Sequence, residues 1–481
     1  MKPAIIPHAT HKRVLRARLD TLFPDKSTIP KEIAPIYRKF RDLDLSAVDC
    51  IMKPHYSTVG PKPWSPSILL RALLVMIAYK CTTITRWVTQ LRITPILAII
   101  CGFDPTHVPG VGTFYDFMSR LWDLPTDNYS EHVKQPQKKK LKKPKAKGQK
   151  ADSVESETVA ELIARLTQKS FRIEDEAYYT LYKIFRTCFL DRSIASGVVN
   201  PETLRLAGDG TPVVTAARFR SHRTCDCWKR GVHDCSCDRF FPQPDCNIGW
   251  DSSREVWYFG YDMYVLTDSE CDLPLFAVLH PASKHDSHGF CEAFFRHISF
   301  SPDLTPRQLL LDSAHDAMAI YDFCKKQHIQ PFIDINPGNT KKTHDFHGVT
   351  LGPDGIPICS AGFKMKSNGN DLKRQYAKFI CPKMSKNACS CDTPCSTAKY
   401  GRTCSIPLKS NIRLYNCPPR DSSEWKETYN SRTSSERCNK RMKLDYLLED
   451  AHHRSTKLWY VRSFLIMMLL HLDSWSFSEE S

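Results

Sequence analysis

The sequence predicts an α/β protein, with a mixed sheet flanked by helices, an all-α N-terminal region before it and cysteine-rich insertions within it. Three observations predict this. Residues from about 10 to 125 carry helical patterning, and from about 203 the period changes to that of strands. Beyond that point three consecutive strands precede helix, strand, helix and strand, an order that fits a mixed α/β layer. The chain divides into a helical N-terminal domain at 1–128, a Lys-rich linker at 129–160, and an α/β domain at 161–481. Cys-rich insertions interrupt that domain around 220–250 and 355–420.

The best N-terminal helix is S-P-S-I-L-L-R-A-L-L-V-M-I-A-Y-K, with Ser65 as N-cap, Pro66 at the first helical position and a broad apolar face. A second apolar segment, I-T-R-W-V-T-Q-L-R-I-T-P-I-L-A-I-I-C-G-F, follows, and Gly110 and Gly112 lead into T-F-Y-D-F-M-S-R-L-W. A compact bundle results, either a packing module or the carrier of a helix-turn-helix. The run from Lys134 to Lys150 is broken by Pro136, Pro144 and Gly148 and lacks apolar periodicity, so a disordered linker is expected. One or two helices are expected over 157–190.

In the α/β part, L-R-L-A-G-D-G-T-P-V-V reads as a strand ending near Asp209. V-W-Y-F-G-Y-D-M-Y-V-L-T-D and L-P-L-F-A-V-L-H-P continue the pattern. D-S-H-G-F-C-E-A-F-F-R-H-I reads as a helix with Asp286 as its N-cap. R-Q-L-L-L-D is a strand ending on Asp312, D-A-M-A-I-Y-D-F-C-K-K-Q-H a helix, and I-Q-P-F-I-D-I-N-P another strand. Near the end, Phe464 to Leu470 is too short an apolar run to span a bilayer and reads as a buried helix.

Composition narrows the function. Among 481 residues, 41% hydrophobic and 11% aromatic content supports a real core and excludes a disordered chain, while a formal charge of +16 favours an anionic partner. Nucleic acid is the first candidate and an acidic membrane surface the second. The N-terminus has only a three-residue apolar run between its prolines, which is no signal-peptide pattern, so a soluble intracellular protein is expected. Twenty cysteines in such a protein point to reduced thiols, some on a metal, rather than to a disulfide framework.

The stretch Y-N-S-R-T-S-S-E-R-C-N-K-R-M-K carries the chemistry. At about 100° per residue on a continuous α-helix, Tyr429, Arg432, Glu436 and Lys443 fall within one narrow sector. Leu444, Leu447 and Leu448 then form the core-facing edge. The alternative is a solvated basic face, common on helices. Asp209 and Asp312, at the C-terminal ends of neighbouring strands, sit where α/β sheets place catalytic groups. Two such acids and one Glu from a helix make an oxygen-lined site for two divalent ions.

With these residues in place, the chain resembles the DDE transposases of bacterial insertion sequences, which have an RNase H-like catalytic core. Tyr429, Arg432, Glu436 and Lys443 match that family's Y-R-E-K signature at all four positions. Asp209 matches its first Asp and Asp312 its second, although Ala314 and His315 stand where Gly and Tyr are common. His285 and Asp286 resemble the family's H-D-S element, and Pro66 to Trp122 its N-terminal domain.

The resemblance implies that Asp209, Asp312 and Glu436 hold two Mg²⁺ or Mn²⁺ ions and that Tyr429, Arg432 and Lys443 contact DNA phosphates. It also implies double-stranded DNA partners (terminal inverted repeats and target), a homodimer, no membrane, and a cytoplasmic, nucleoid-associated location. The expected function is metal-dependent cleavage of element ends and strand transfer. The alternatives are a catalytically silent DNA-binding descendant and a nuclease without strand transfer.

Two cysteine clusters remain. Cys225, Cys227, Cys235 and Cys237, with His233 and Cys246 nearby, lie where a long hairpin insertion would sit. Cys381, Cys389, Cys391 and Cys395, followed by Cys404, lie between Asp312 and Glu436. Each is a candidate structural Zn²⁺ site, although C-x-C is less typical than C-x-x-C and free thiols are the alternative.

Overall fold

The computed structural model describes residues 1–475 apart from 26–27, 124–132, 135–156, 218, 337, 339–343, 347–348, 386–387, 393, 395 and 399–400. Seven helices form the N-terminal region: α1 His8–Leu22, α2 Ala34–Arg41, α3 Ser46–Met52, α4 Pro66–Ala78, α5 Ile84–Ile93, α6 Pro95–Cys101 and α7 Val111–Arg120. Helix α4 is buried over most of its length, because apolar residues surround it on nearly all sides. The buried Arg71 guanidinium on it donates to the Phe40 and Leu43 carbonyls at 2.8 and 2.7 Å. Ser65 is the N-cap by position, but its hydroxyl donates to Asp49 and makes no cap bond. Only Thr94 separates α5 from α6, and Ile96 to Cys101 are all buried. Helix α6 therefore offers no outward face with which a helix-turn-helix would read DNA.

Of the expected linker, Lys134 lies in a two-residue strand with Val133 that pairs with Arg239–Phe240, and 135–150 lies outside the described residues. Helices α8 Val159–Gln168, α9 Tyr179–Phe185 and α10 Asp191–Ala195 follow, the last two joined through a π-helical turn.

The sheet comprises β1 Arg205–Val214, β2 Asn247–Asp251, β3 Val256–Asp268, β4 Leu273–Pro281, β5 Gln308–Leu311 and β6 Gln330–Ile333. Across it the order is β4–β3–β1–β5–β6, with β2 pairing the first five residues of β3. β1, β3 and β4 are antiparallel neighbours, whereas β1, β5 and β6 run parallel. This is the mixed sheet that the sequence predicts, in an arrangement consistent with an RNase H-like core.

Helix α11 Asp286–Phe300 packs on one face of the sheet with α12 Met318–Lys326 following β5, in a core that includes Leu206, Leu309 and Leu311. The opposite face, carrying Ala207, Leu310 and Phe332, packs against Trp425 and Tyr429 of α13 Ser423–Asn430. Helix α14 Thr433–Lys440 follows, and α15 Thr456–Ser474 is buried nearly all round, as the apolar run predicts. One contiguous core runs from Leu15 to Trp475, so the N-terminal helices and the sheet share their apolar interior.

The second insertion has its own three-stranded sheet, β7 Lys366–Asp371, β8 Tyr376–Ile380 and β9 Thr403–Pro407, around Phe379, Ile406 and Tyr415. An ion pair between buried Asp316 and Arg413, bidentate through Nε at 2.7 Å and through Nη2, ties its end to the segment after β5.

Candidate active site

The site is built where β1 and β5 diverge. Their parallel register ends at Ala207 opposite Leu310, and two residues further along each chain stand Asp209 and Asp312. By strand alternation Asp209 belongs to the face that carries Ala207, and Asp312 follows the last residue of β5 directly. Asp209 is not at a strand end, because β1 continues to Val214 along β3. It lies mid-strand, at the point where the neighbouring strand stops.

The glycines beside Asp209 serve close approach. A Cβ on Gly208 would lie 2.7 Å from the Tyr264 hydroxyl, and one on Gly210 3.0–3.1 Å from carboxylate oxygens of Asp262 and Asp286. The site therefore holds two more acids than the sequence alone indicates. Asp286 opens α11 as its first residue, and the N-cap is His285, whose ring accepts from the Ser287 N–H. Position decides this: the first helical residue points its carboxylate back towards Gly210.

The electrostatics are those of an acid cluster short of cations. Burial pushes the Asp209 carboxyl up to about 7, helped by the charges of Asp312 and Asp286. Burial likewise raises Asp286, and raises Asp262 well above the carboxylate range, with Asp286 and Asp209 adding to the effect. The Asp262 Oδ2 is buried and has no hydrogen-bond partner.

Asp312 differs. Burial pushes it up, but His315 and the Ala314 N–H hold it below its ordinary value. The His315 ring stands with Nδ1 2.6 Å from Asp312 Oδ1 and Nε2 2.8 Å from the Tyr264 hydroxyl, and is 1% exposed. The departure from the family's usual neighbours thus puts a histidine in direct contact with the second aspartate, a role that the sequence reading did not assign.

Glu436 enters from α14. The buried side of this helix is Ser434, Ser435, Cys438 and Asn439. Three of these are small, which lets the backbone lie close to the sheet, and Asn439 Nδ2 donates to Asp209 Oδ2 at 3.1 Å. The Glu436 carboxylate, 54% exposed, accepts from Arg432 Nη2 at 2.7 Å. Arg432 also lies over the Tyr429 ring, 5.8 Å from its centroid, and its charge acts on Asp209 and Asp312. Tyr429 stacks on Trp425 with centroids 4.6 Å apart.

The continuous helix expected across this stretch is not what forms. Helix α13 ends at Asn430, i→i−3 bonds carry the chain through Ser431 and Arg432, and residues 441–445 form a π-helical turn. The wider π turn changes the phase of everything after Lys440. Leu444, expected in the core, is 60% exposed, and Met442 is buried in its place. Lys443 Nζ lies 3.7 Å from Glu449, and its charge acts on Asp262 rather than Asp209. Arg432 and Lys443 therefore serve different members of the acid cluster.

The first cysteine set gathers: Cys225, Cys227, Cys235 and Cys237 bring their sulfurs within 4.8 Å of one another, and they are the one such group of ligating side chains among the described residues. In the second set Cys381 is buried and Cys391 half-buried, whereas the Cys389 side chain and Cys395 lie outside the described residues.

Two protein-family models match the chain. The model of the transposase DDE domain matches residues 209–472, more than half of the chain, beginning at Asp209 and spanning Asp312 and Glu436. The chain belongs to the DDE transposase family. A second model, a transposase domain of the DUF772 class, matches residues 26–120 and so covers most of the N-terminal helices. No curated protein matches the chain. Among the described residues of this transposase, no helix is long and apolar enough to cross a membrane.

Proposed function

We propose that this transposase binds the ends of its mobile element, hydrolyses a phosphodiester there and joins the freed 3′-hydroxyl to target DNA. One observation carries the reading: Asp209 lies in β1, Asp312 directly follows the neighbouring parallel strand β5, and the helix that bears Glu436 donates to Asp209 through Asn439. The helical region 1–128 is assigned to end recognition and 161–481 to catalysis, with two protomers acting together on nucleoid DNA in the cytoplasm.

The acids are hard oxygen donors of the kind divalent cations take, and among the described residues no three of them bring ligand oxygens within 4.8 Å of one another. Burial raises the Asp209, Asp262 and Asp286 carboxyls, and the buried Asp262 Oδ2 lacks any hydrogen-bond partner. Asp209, Asp312 and Glu436 would hold Mg²⁺ or Mn²⁺. Such ions supply activation of a water or 3′-hydroxyl and stabilisation of the leaving oxygen. His315 keeps Asp312 ionised, and the Tyr264 hydroxyl bonds its second ring nitrogen. Arg432 exchanges the Glu436 carboxylate for a DNA phosphate, which it meets as a planar fork. The Tyr429 ring, fixed by Trp425, holds that guanidinium in place, and Lys443 meets a phosphate from the Asp262 side.

Labelled element ends incubated in Mg²⁺ with target DNA test the reading. The wild-type protein is expected to give joined products. Asp312→Asn and Glu436→Gln are expected to bind the ends and leave them uncut. Cleavage by either variant at the wild-type rate overturns the site assignment. Uncut ends with the wild-type protein point to a silent binder, and cut but unjoined ends to a nuclease.

A further inference from the structure

The segment between β1 and β2 forms a lobe that its apolar residues do not explain. Among the described residues of 216–246, Cys227 is the one buried apolar side chain, whereas Phe219, Trp228, Val232 and Phe240 are exposed. Regular structure there amounts to two-residue strands, His222–Arg223 and Arg239–Phe240, and one 3₁₀ turn. The base is anchored by Gln243 Nε2 donating to the His453 carbonyl at 3.1 Å and by the Thr456 hydroxyl donating to Asp245 at 2.8 Å, and Arg239–Phe240 pairs with Val133–Lys134. About thirty residues without a core need a staple.

The staple is at the centre of the lobe. Cys225 Sγ lies 3.7 Å from Cys235 Sγ, and Cys227 Sγ 3.6 Å from Cys237 Sγ. Four sulfurs about 2.3 Å from one tetrahedral Zn²⁺ stand about 3.8 Å apart, whereas a disulfide brings two to about 2.0 Å. Three guanidinium groups also point at these sulfurs: Arg230 Nη2 at 3.4 Å from Cys227, and Arg223 Nη1 and Arg239 Nη2 each at 3.7 Å from Cys235. A Zn²⁺ with four thiolates carries a net charge of about −2, which cations around it offset. Neutral thiols or a pair of disulfides would leave three arginines converging on no charge.

We infer that Cys225, Cys227, Cys235 and Cys237 bind one structural Zn²⁺ as a tetrathiolate, with Arg223, Arg230 and Arg239 as its outer shell. The ion takes the place of a core and fixes the lobe beside β1, the strand that carries Asp209. Each cysteine gives up one proton as its sulfur binds, so loading is redox-neutral.

The full chain, purified without chelator, is expected to hold zinc that falls by one equivalent per chain in Cys225→Ser/Cys235→Ser. Exchange into Co²⁺ is expected to produce the visible ligand-field bands of tetrahedral thiolate cobalt, lost in the same variant. Arg230→Gln keeps all four ligands and is expected to weaken zinc binding about 10-fold. Trypsin reports on the lobe directly in the wild-type protein, since Arg220, Arg223, Lys229 and Arg230 lie in it. Cleavage within 220–239 is expected to be slow with zinc and fast after chelation. Zinc content unchanged in the double variant, disulfide-linked 225–235 or 227–237 peptides in the unreduced protein, or cleavage indifferent to chelation would overturn the inference.

Discussion

Replacing Asp209 with Asn is expected to stabilise the metal-free protein while destroying its activity. In the fold the Asp209 carboxyl is raised from 3.8 to about 7 by burial and by Asp312 and Asp286. A folded value above the unfolded one means that the native state holds a proton the unfolded chain has released. The stabilisation is therefore fully present below about 3.8 and is lost as pH rises through about 7. A gap of about three units, at about 1.4 kcal/mol each, makes the ionised side chain cost up to about 4 kcal/mol at pH 8. About 2–3 kcal/mol of that is lost between pH 5 and pH 8.

Asp209→Asn cannot ionise, and its amide keeps an oxygen for Asn439 Nδ2. Urea unfolding in EDTA at pH 5, 6, 7 and 8 is the assay, with the difference between the two proteins as the readout. Asp262 and Asp286 tilt both curves in the same direction, so only the difference isolates Asp209. Added Mg²⁺ is expected to stabilise the wild-type protein at pH 8 and to leave the variant nearly unmoved, because a ligand stabilises only the state that binds it. Curves that run parallel from pH 5 to pH 8 would refute the electrostatic account of the site.

Other expectations rest on single contacts. His315→Gln removes the charge that holds Asp312 below its ordinary value, so the acid limb of the cleavage–pH profile should move to higher pH; an unmoved limb would break the link between the two residues. Gly208→Ala drives a methyl against the Tyr264 hydroxyl at 2.7 Å and should cost about 1–3 kcal/mol in urea unfolding, with a further loss of cleavage as the Tyr264–His315 bond is displaced. Arg413→Ala removes the guanidinium paired with the buried Asp316, which keeps the Asn336 N–H and Tyr321 hydroxyl as donors, and should cost about 3–5 kcal/mol, whereas the conservative Arg413→Lys should recover part of it.

The sheet and its helices were legible because their periods are clean. β3 and β4 alternate or run apolar over nine residues or more, and α11 and α15 carry apolar residues at helical spacing. Asp209 and Asp312 were legible as acids after apolar runs. What stayed hidden depended on contacts distant in sequence. Asp262 reads as one polar position within a strand, and only the register with β1 sets it against Gly210.

The break at Ser431–Arg432 has neither Pro nor Gly to announce it, and the π turn at 441–445 leaves no compositional mark. Four residues therefore shared a calculated helical sector that the backbone does not maintain. The buried side of α14 was signalled by the small residues of T-S-S-E-R-C-N, a pattern for close helix-on-sheet approach that apolar periodicity passes over.

The distribution of charge gives the proposed reaction an order of events. The chain carries +16 overall, yet the charges of Asp209, Asp262, Asp286 and Asp312 act on one another, with Arg432, Lys443 and His315 acting on them in the opposite sense. Lys443 is already paired with Glu449 and Arg432 with Glu436, so little positive charge is left to receive a phosphate. A DNA backbone approaching the bare cluster meets like charge across a poorly screened cleft, whereas the basic exterior attracts it at longer range. On the proposed function, element ends would therefore be held first by the exterior and by the N-terminal helices. On the same reading, the scissile phosphate would enter once divalent cations held by Asp209, Asp312 and Glu436 offset the aspartate charge and Arg432 is free to leave Glu436. The cost of keeping Asp209 ionised, set against a core continuous from Leu15 to Trp475, would make that neutralisation favourable.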